Sequence, residues 1–304
     1  MAPQFLIIGA ARSGTTALAG ALGRHPRIRI STPKEPHFLA LHGTPAAFTG
    51  PGDRETINRV AITDERRWRA LFKPDPQVVW GEGSVSTLYY GAHSVQAIQQ
   101  YCPDVRMIVI LRRPSARAFS AHQYQTGRGW ERESFEAALA LEPQRIAEGY
   151  HHLWHYRRMG LYGEQLQPFI DAFGHDRLLV LDHAEFDSDP RAVLLRCVQF
   201  LGLDTEGFDP IAPRTNEGAV RPSGLVAIER ALRRSRVIAR VMRFVMPRGA
   251  RDAVRSIGRR TGEIAAETAA ELDAYYADDT ALLGRLLGDD APAWARGQVP
   301  EASA

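Results

Sequence analysis

The chain has 304 residues, 44% of them hydrophobic, and a formal net charge of +3. That is ample for one large core and fits a single α/β domain with insertions, while no run approaches the about 20 apolar residues needed to span a bilayer. Cys102 and Cys197 are the only cysteines, too few for a disulfide framework or a zinc site; the N-terminus has no signal-peptide pattern, so a cytoplasmic setting is expected.

Residues 4–10 (QFLIIGA) are a short apolar run that predicts a buried strand. TTALAGALGRHP reads as a helix that stops before Pro26, and RIRIS (27–31) as a second strand. Residues 41–76, rich in Gly, Pro and charge, read as an excursion over the sheet. QVVWGE (77–82) is a third strand, and 86–103 reads as one helix ended by Pro103. VRMIVILRRP (105–114) is the strongest strand signal, with Pro114 suited to the first turn of the next helix. Residues 162–174 have a helix pattern in which Pro168 predicts a kink or a late start. RLLVLDH (177–183) is a further strand, after which Asp189 and Pro190 cap and open a helix. Short buried strands alternating with helices predict a parallel sheet covered on both faces, an α/β fold of P-loop-like, three-layer type.

The first strand leads into Gly9-Ala10-Ala11-Arg12-Ser13-Gly14-Thr15-Thr16. Backbone N–H groups of such a turn and the following helix N-terminus together bind an oxyanion. The lysine that a nucleotide triphosphatase uses at the β- and γ-phosphates is replaced by Thr15, and the cation sits earlier, at Arg12. The strand MIVIL, which in an ATPase would end in an Asp for Mg²⁺, ends in Arg112-Arg113. The pair of departures points to a second, metal-free phosphate. The rival reading is a nucleotide kinase or NTPase with an aberrant loop.

GAARSGTTAL and VILRRPSARAFSAHQY resemble the two signature segments of sulfotransferases that use 3′-phosphoadenosine-5′-phosphosulfate (PAPS). The first is similar to that family's 5′-phosphosulfate loop. The second is similar to its 3′-phosphate motif, with Arg112 at a strand end and Ser120 in the following helix. The likeness is to bacterial sulfotransferases related to heparan sulfate sulfotransferases, and continues through KEPHF, the GE.S segment and the Asp189-Pro190 helix, over most of residues 4–205. It implies a single sulfotransferase domain, with 4–205 as the PAPS-binding core and 206–304 as a helical, Arg-rich cover. It also implies that Arg12, Ser13, Gly14, Thr15, Thr16, Arg112 and Ser120 hold PAPS or its product 3′-phosphoadenosine-5′-phosphate (PAP), without a metal. A late basic loop, RTNEGAVRPSG, offers Arg214, Asn216 or Arg221 as a further phosphate contact, and Arg221 is the expected one.

Glu35 in STPKEPHFLA follows the second strand and can reach the carboxyl edge of the sheet, where open α/β folds bind ligands. It matches the region that supplies the family's catalytic glutamate; His37 is the other base to weigh. Lys34 or Arg12 is suited to stabilising the departing phosphate oxygen. Lys34, Glu82 and Ser84 are expected at the acceptor, a carbohydrate, glycolipid or small-molecule hydroxyl, or less readily an amine. One departure stands out: heparan sulfate enzymes carry a lysine where this chain has Gly83.

Other signals carry less. His151, His152 and His155 have a spacing that metal sites use, but no matching carboxylate, and no metal is expected. Nearly balanced charge and no interleaved aromatics argue against nucleic acid. The basic amphipathic stretch 224–260 is expected to pack on the domain, cover the acceptor site, or touch an anionic membrane surface. AAELDAYYADDTALLGRLLG is expected to be a core-facing terminal helix.

Overall fold

The structure, a computed structural model, describes residues 1–206, 208–209 and 263–296. The late-loop residues Arg214, Asn216 and Arg221 and the stretch 224–260 lie outside these. Five strands, β1 (Phe5–Gly9), β2 (Ile28–Ile30), β3 (Val79–Glu82), β4 (Arg106–Leu111) and β5 (Leu178–Asp182), form one sheet in the order β2-β3-β1-β4-β5. All four pairings are parallel.

Among the described residues the α-helices are α1 (Thr15–Leu22), α2 (Phe38–Leu41), α3 (Ile57–Val60), α4 (Glu65–Arg69), α5 (Ser86–Tyr89), α6 (Gly91–Tyr101), α7 (Pro114–Gly127), α8 (Phe135–Ala140), α9 (Glu142–Ala147), α10 (Tyr162–Phe173), α11 (His183–Ser188), α12 (Pro190–Phe200) and α13 (Ala266–Leu287).

Strand side chains alternate between two apolar layers, which is why β1 and β4 read as unbroken hydrophobic runs. Phe5, Ile7, Ile108 and Ile110 pack with Leu18 and Leu22 of α1 and Val193, Leu194 and Val198 of α12. Leu6, Ile8, Met107 and Val109 pack on the other face with Ile98 of α6, Leu166 and Phe169 of α10, and Leu283 of α13. The expected terminal helix is α13, and it does face the core.

Three expectations change in detail. Residues 86–103 form two helices, α5 and α6, broken at Tyr90 (φ −93, ψ 40). The break lets the Tyr89 hydroxyl bond His155 Nδ1 at 2.5 Å, while Gly91 starts a new helix against α10. α10 starts at Tyr162 and carries Pro168 inside it, so there is no late start. The 41–76 excursion contributes to the core: Trp68 of α4 is fully buried and stacks on Phe38 with centroids 4.5 Å apart.

Asp189 caps α12 as expected, its Oδ1 accepting from Ala192 N at 3.0 Å, with Pro190 at the first position. Asp189→Ala is expected to remove about 1 kcal/mol and lower the thermal midpoint by roughly 2 °C for a domain of this size. A midpoint equal to that of the parent would show that the cap contributes nothing.

Candidate active site

From β1 the chain runs first to β2 and β3 on one side, then to β4 and β5 on the other. The segments leaving β1 and β4 therefore flank the topological switch point, where open α/β sheets bind ligands. The loop Gly9–Thr16 sits there, tied to β4 by Ala10 N donating to Ile110 O at 2.8 Å. Gly14 adopts φ +96 and precedes α1, and no side chain caps that helix. A side chain at Gly14 would be strained, and its Cβ would stand 3.5 Å from His183. The uncapped first turn of α1 presents backbone N–H groups and the positive end of the helix dipole. Ser13 and Thr15 are buried beside it and Thr16 is exposed.

Three guanidiniums converge on the same place. Arg12 Nε lies 3.4 Å from Ser120 Oγ, and Arg112 Nη1 lies 3.4 Å from the Arg12 carbonyl. The Tyr162 hydroxyl fixes the backbone of Arg112 by donating to its carbonyl at 3.1 Å. Arg117 is fully buried and donates to the Tyr156 carbonyl. Among the described residues, no ion pair joins Arg12, Arg112 or Arg117 to a carboxylate. Burial, then the neighbouring guanidiniums, pushes the Arg12 pKa down; burial does the same to Arg112. Asp187 acts on Arg112 and opposes the effect of burial there, but the three cations outnumber it, and such an excess makes an anion site.

The fold thus brings together Arg12, Ser13, Gly14, Thr15, Thr16, Arg112 and Ser120 across more than a hundred residues of sequence. It adds Arg117, Tyr124 and Tyr162, which the sequence reading did not single out. Tyr124 lies under Arg12, its ring centroid 4.5 Å from the guanidinium carbon. The usable signal was helical phase: Arg117, Ser120 and Tyr124 stand at i, i+3 and i+7 on α7. Arg113 turns away and pairs with Asp273 of α13 at 2.9 Å.

A second group forms at the ends of β2 and β3. Glu35 and His37 line a cavity of about 100 Å³ with Tyr124, Trp130, His151 and His152. Tyr124 therefore touches both the anion site and the Glu35 cavity. Lys34 Nζ pairs with Glu35 Oε1 at 2.7 Å and with the Gly83 carbonyl at 3.0 Å. A Cβ at Gly83 would lie 3.1 Å from Lys34 Cε, so Lys34 occupies the space over the glycine.

The segment is held from beneath. His37 donates its backbone N–H to Ser84 Oγ at 3.0 Å, and its Nδ1 lies 2.8 Å from Ser86 Oγ. The Ser84 hydroxyl donates to Glu82 Oε1 at 2.7 Å, and Trp68 Nε1 donates to Oε2 at 2.6 Å. Glu82 and Ser84, expected at the acceptor, are each only 1% exposed and do not line the cavity; they brace it. Burial pushes the Glu82 carboxyl up to about 7. It pushes the His37 imidazole down to about 4, so that ring is neutral near pH 7, with Nε2 3.9 Å from Glu35 Oε2.

On the far wall His151 Nδ1 lies 2.6 Å from Asp53 Oδ1. Asp53 also accepts from Gly50 N at 2.9 Å and Trp154 Nε1 at 3.2 Å. Burial alone would raise its pKa; these hydrogen bonds outweigh it and hold the carboxyl below its ordinary value. His155 is taken up by Tyr89 and by the Tyr150 carbonyl at 3.0 Å. Among the described residues, no three His, Cys, Asp or Glu side chains are grouped to hold a metal ion, and no helix is long and apolar enough to cross a membrane.

Comparison with known proteins gives this geometry a family. The chain is 28% identical over 204 residues to heparan sulfate glucosamine 3-O-sulfotransferase 3B1 of Mus musculus, across 66% of this chain and 46% of that protein. It is 27% identical over 214 residues to the bifunctional heparan sulfate N-deacetylase/N-sulfotransferase 4 of Mus musculus, across 66% of this chain and 22% of that protein. The chain thus spans about half, or less, of the length of these curated relatives. A solved sulfotransferase from Alicyclobacillus acidocaldarius matches with a TM-score of 0.74 at 32% identity, over 94% of this chain and 96% of that one. A family model described as the sulfotransferase family matches residues 3–207, the stretch that holds every site residue described above, and the chain belongs to that family.

Proposed function

We propose that this protein transfers a sulfuryl group from PAPS to a hydroxyl of an acceptor held beside Glu35. The observation that carries the reading is the group of half-buried and buried guanidiniums, none in a salt bridge, that shares Tyr124 with the Glu35 cavity. The donor set fits a compound with two separate phosphate groups. Gly14, Thr15, Thr16 and Arg12 would hold the 5′-phosphosulfate at the start of α1; Arg112 and Ser120 would hold the 3′-phosphate.

When bound there, PAPS supplies an activated sulfuryl group for in-line displacement. By analogy with phosphoryl transfer, the protein's work is positioning and charge stabilisation. Glu35 is the general base: its carboxylate faces the cavity and takes the proton that the acceptor hydroxyl must lose. Lys34 holds Glu35 in place and brings an ammonium to the same spot, where it offsets negative charge on a leaving oxygen. The Nδ1 of His37 is engaged by Ser86 Oγ at 2.8 Å. Its backbone bond to Ser84 makes it a positioning residue, and Glu82 acts through Ser84.

Arg112→Ala is expected to weaken PAP binding by roughly 1.5–3 kcal/mol, the scale of a charged hydrogen bond. Calorimetric titration checks this, and an unchanged affinity removes Arg112 from the site. The same titration with ATP and Mg²⁺ tests the kinase rival, which requires metal-dependent ATP binding and no response to PAP. Glu35→Gln is expected to keep PAP affinity and lose about 10²–10⁴-fold in transfer rate; a fully active variant would rule out Glu35 as the base.

Glu82 gives a pH prediction. A carboxyl raised to about 7 in the fold and ordinary when unfolded holds its proton longer in the native state. Native stability therefore falls as pH rises from the unfolded value, near 4.5, through about 7. Glu82→Gln removes this titration, so the variant's thermal midpoint should gain on the parent's across that window. Parallel profiles would contradict it.

A further inference from the structure

Beside the Glu35 cavity lies a larger one of about 430 Å³, within the size range of ligand sites. Trp130 lines both. We propose that this larger cavity is an acceptor subsite for an uncharged, hydroxyl-rich ring, a neutral pyranoside, stacked on Trp130. The proposal rests on the sulfotransferase reading and names the substrate class of that site.

Trp130, shared by the two cavities, is set by a built feature, the turn Gly50-Pro51-Gly52-Asp53, whose Pro51 lines the larger one. Gly52 has φ +83, and a Cβ there would fall 2.3 Å from the Trp130 indole. A Cβ at Gly50 would fall 2.9 Å from Trp154 Nε1. The two indoles therefore press against bare backbone. At the end of the turn, Asp53 fixes His151 of the smaller cavity and Trp154 of the larger one with a single carboxylate. The segment 150–154 divides the same way: Tyr150 and Trp154 face the larger cavity, His151 and His152 the smaller. A ladder of stacked groups then leads back to the anion site. Arg128 lies over both Tyr124, at 4.5 Å, and Trp130, at 4.9 Å, and Tyr124 lies under Arg12.

The lining decides the ligand. Trp130 and Tyr150 offer aromatic surface for the apolar face of a ring, with Trp154 buried behind them. Glu133 and the Gln144–Glu148 pair, 2.7 Å apart at the end of α9, offer acceptors and an amide donor for hydroxyls. Glu131 is spent inside the wall, bridged twice by Arg145 at 2.6 and 3.0 Å. The lining carboxylates Glu131, Glu133 and Glu148 face only two lining guanidiniums, Arg132 and Arg145, with Arg128 at the edge. A polyanionic chain needs an excess of cations, and among the described residues this cavity has none. The acceptor expected here differs in charge from the heparan sulfate in the names of the curated relatives.

The test follows tryptophan fluorescence while the protein is titrated with neutral tetrasaccharides of gluco, manno and galacto configuration, and with a heparin tetrasaccharide. The exposed double variant Gln144→Ala/Glu148→Ala is titrated beside it, and PAP affinity is measured for both proteins. The expected result is binding of a neutral tetrasaccharide that raised salt leaves intact. The double variant should bind it about tenfold or more weakly, with PAP affinity unchanged. Three results overturn the subsite: no neutral saccharide bound, parent-like saccharide affinity in the double variant, or preferred, salt-sensitive heparin binding. If any of these comes with intact PAP binding, the sulfotransferase reading stands and only the subsite falls. If PAP does not bind, the reading falls, and the subsite with it.

Discussion

Everything at this site depends on keeping unpaired positive charge out of water. Removing a guanidinium from solvent without a counter-ion is unfavourable by several kcal/mol. The fold sustains it for Arg12, Arg112 and Arg117 by other means. Carbonyls of Arg12 and Tyr156 and the Ser120 hydroxyl take up part of the hydrogen bonding. The two apolar layers on β1 and β4 anchor the strand ends from which the Arg12 loop and Arg112 leave. What remains is a concentrated positive field at the switch point, beside the uncapped start of α1.

The Glu35 side is organised on the opposite plan, around paired polar groups. Trp68, Glu82, Ser84 and His37 form one hydrogen-bonded series under the Glu35 segment. Asp53, Gly50, His151 and Trp154 form another across the cavity. Satisfied networks of this kind are rigid. Glu35, partly exposed and tied to a lysine, is set between two braced walls, and positioning is what transfer chemistry asks of a protein.

Much of this was legible in the sequence because its signals are local. Alternation buried on both faces yields continuous apolar runs, so the strands, the loop at Gly9–Thr16 and the strand end at Arg112 could be read directly. The features that were missed depend on partners far along the chain. Arg117 and Tyr124 carry meaning only through the phase of α7 against a loop a hundred residues earlier. Tyr89, beside the break at Tyr90, meets His155 66 residues on, and Asp53 finds His151 98 residues away. Glu82 was noticed for its residue type, but its burial is set by Trp68, inside a stretch whose composition looks like a surface loop. In each case the tertiary partner overrode the local pattern.

The chain has only two lysines, Lys34 and Lys73, and the described cations of the anion site are all arginines. Burial lowers the pKa of Arg12 and Arg112, yet a guanidinium does not lose its proton in a protein at any ordinary pH. The charge that attracts an anion is therefore constant from mildly acidic to alkaline solution. Glu82, whose carboxyl is raised to about 7, stands instead under the Glu35 cavity that Tyr124 also lines. The molecule thus sets a cationic cluster whose charge ignores pH beside a cavity whose supporting carboxyl responds to it.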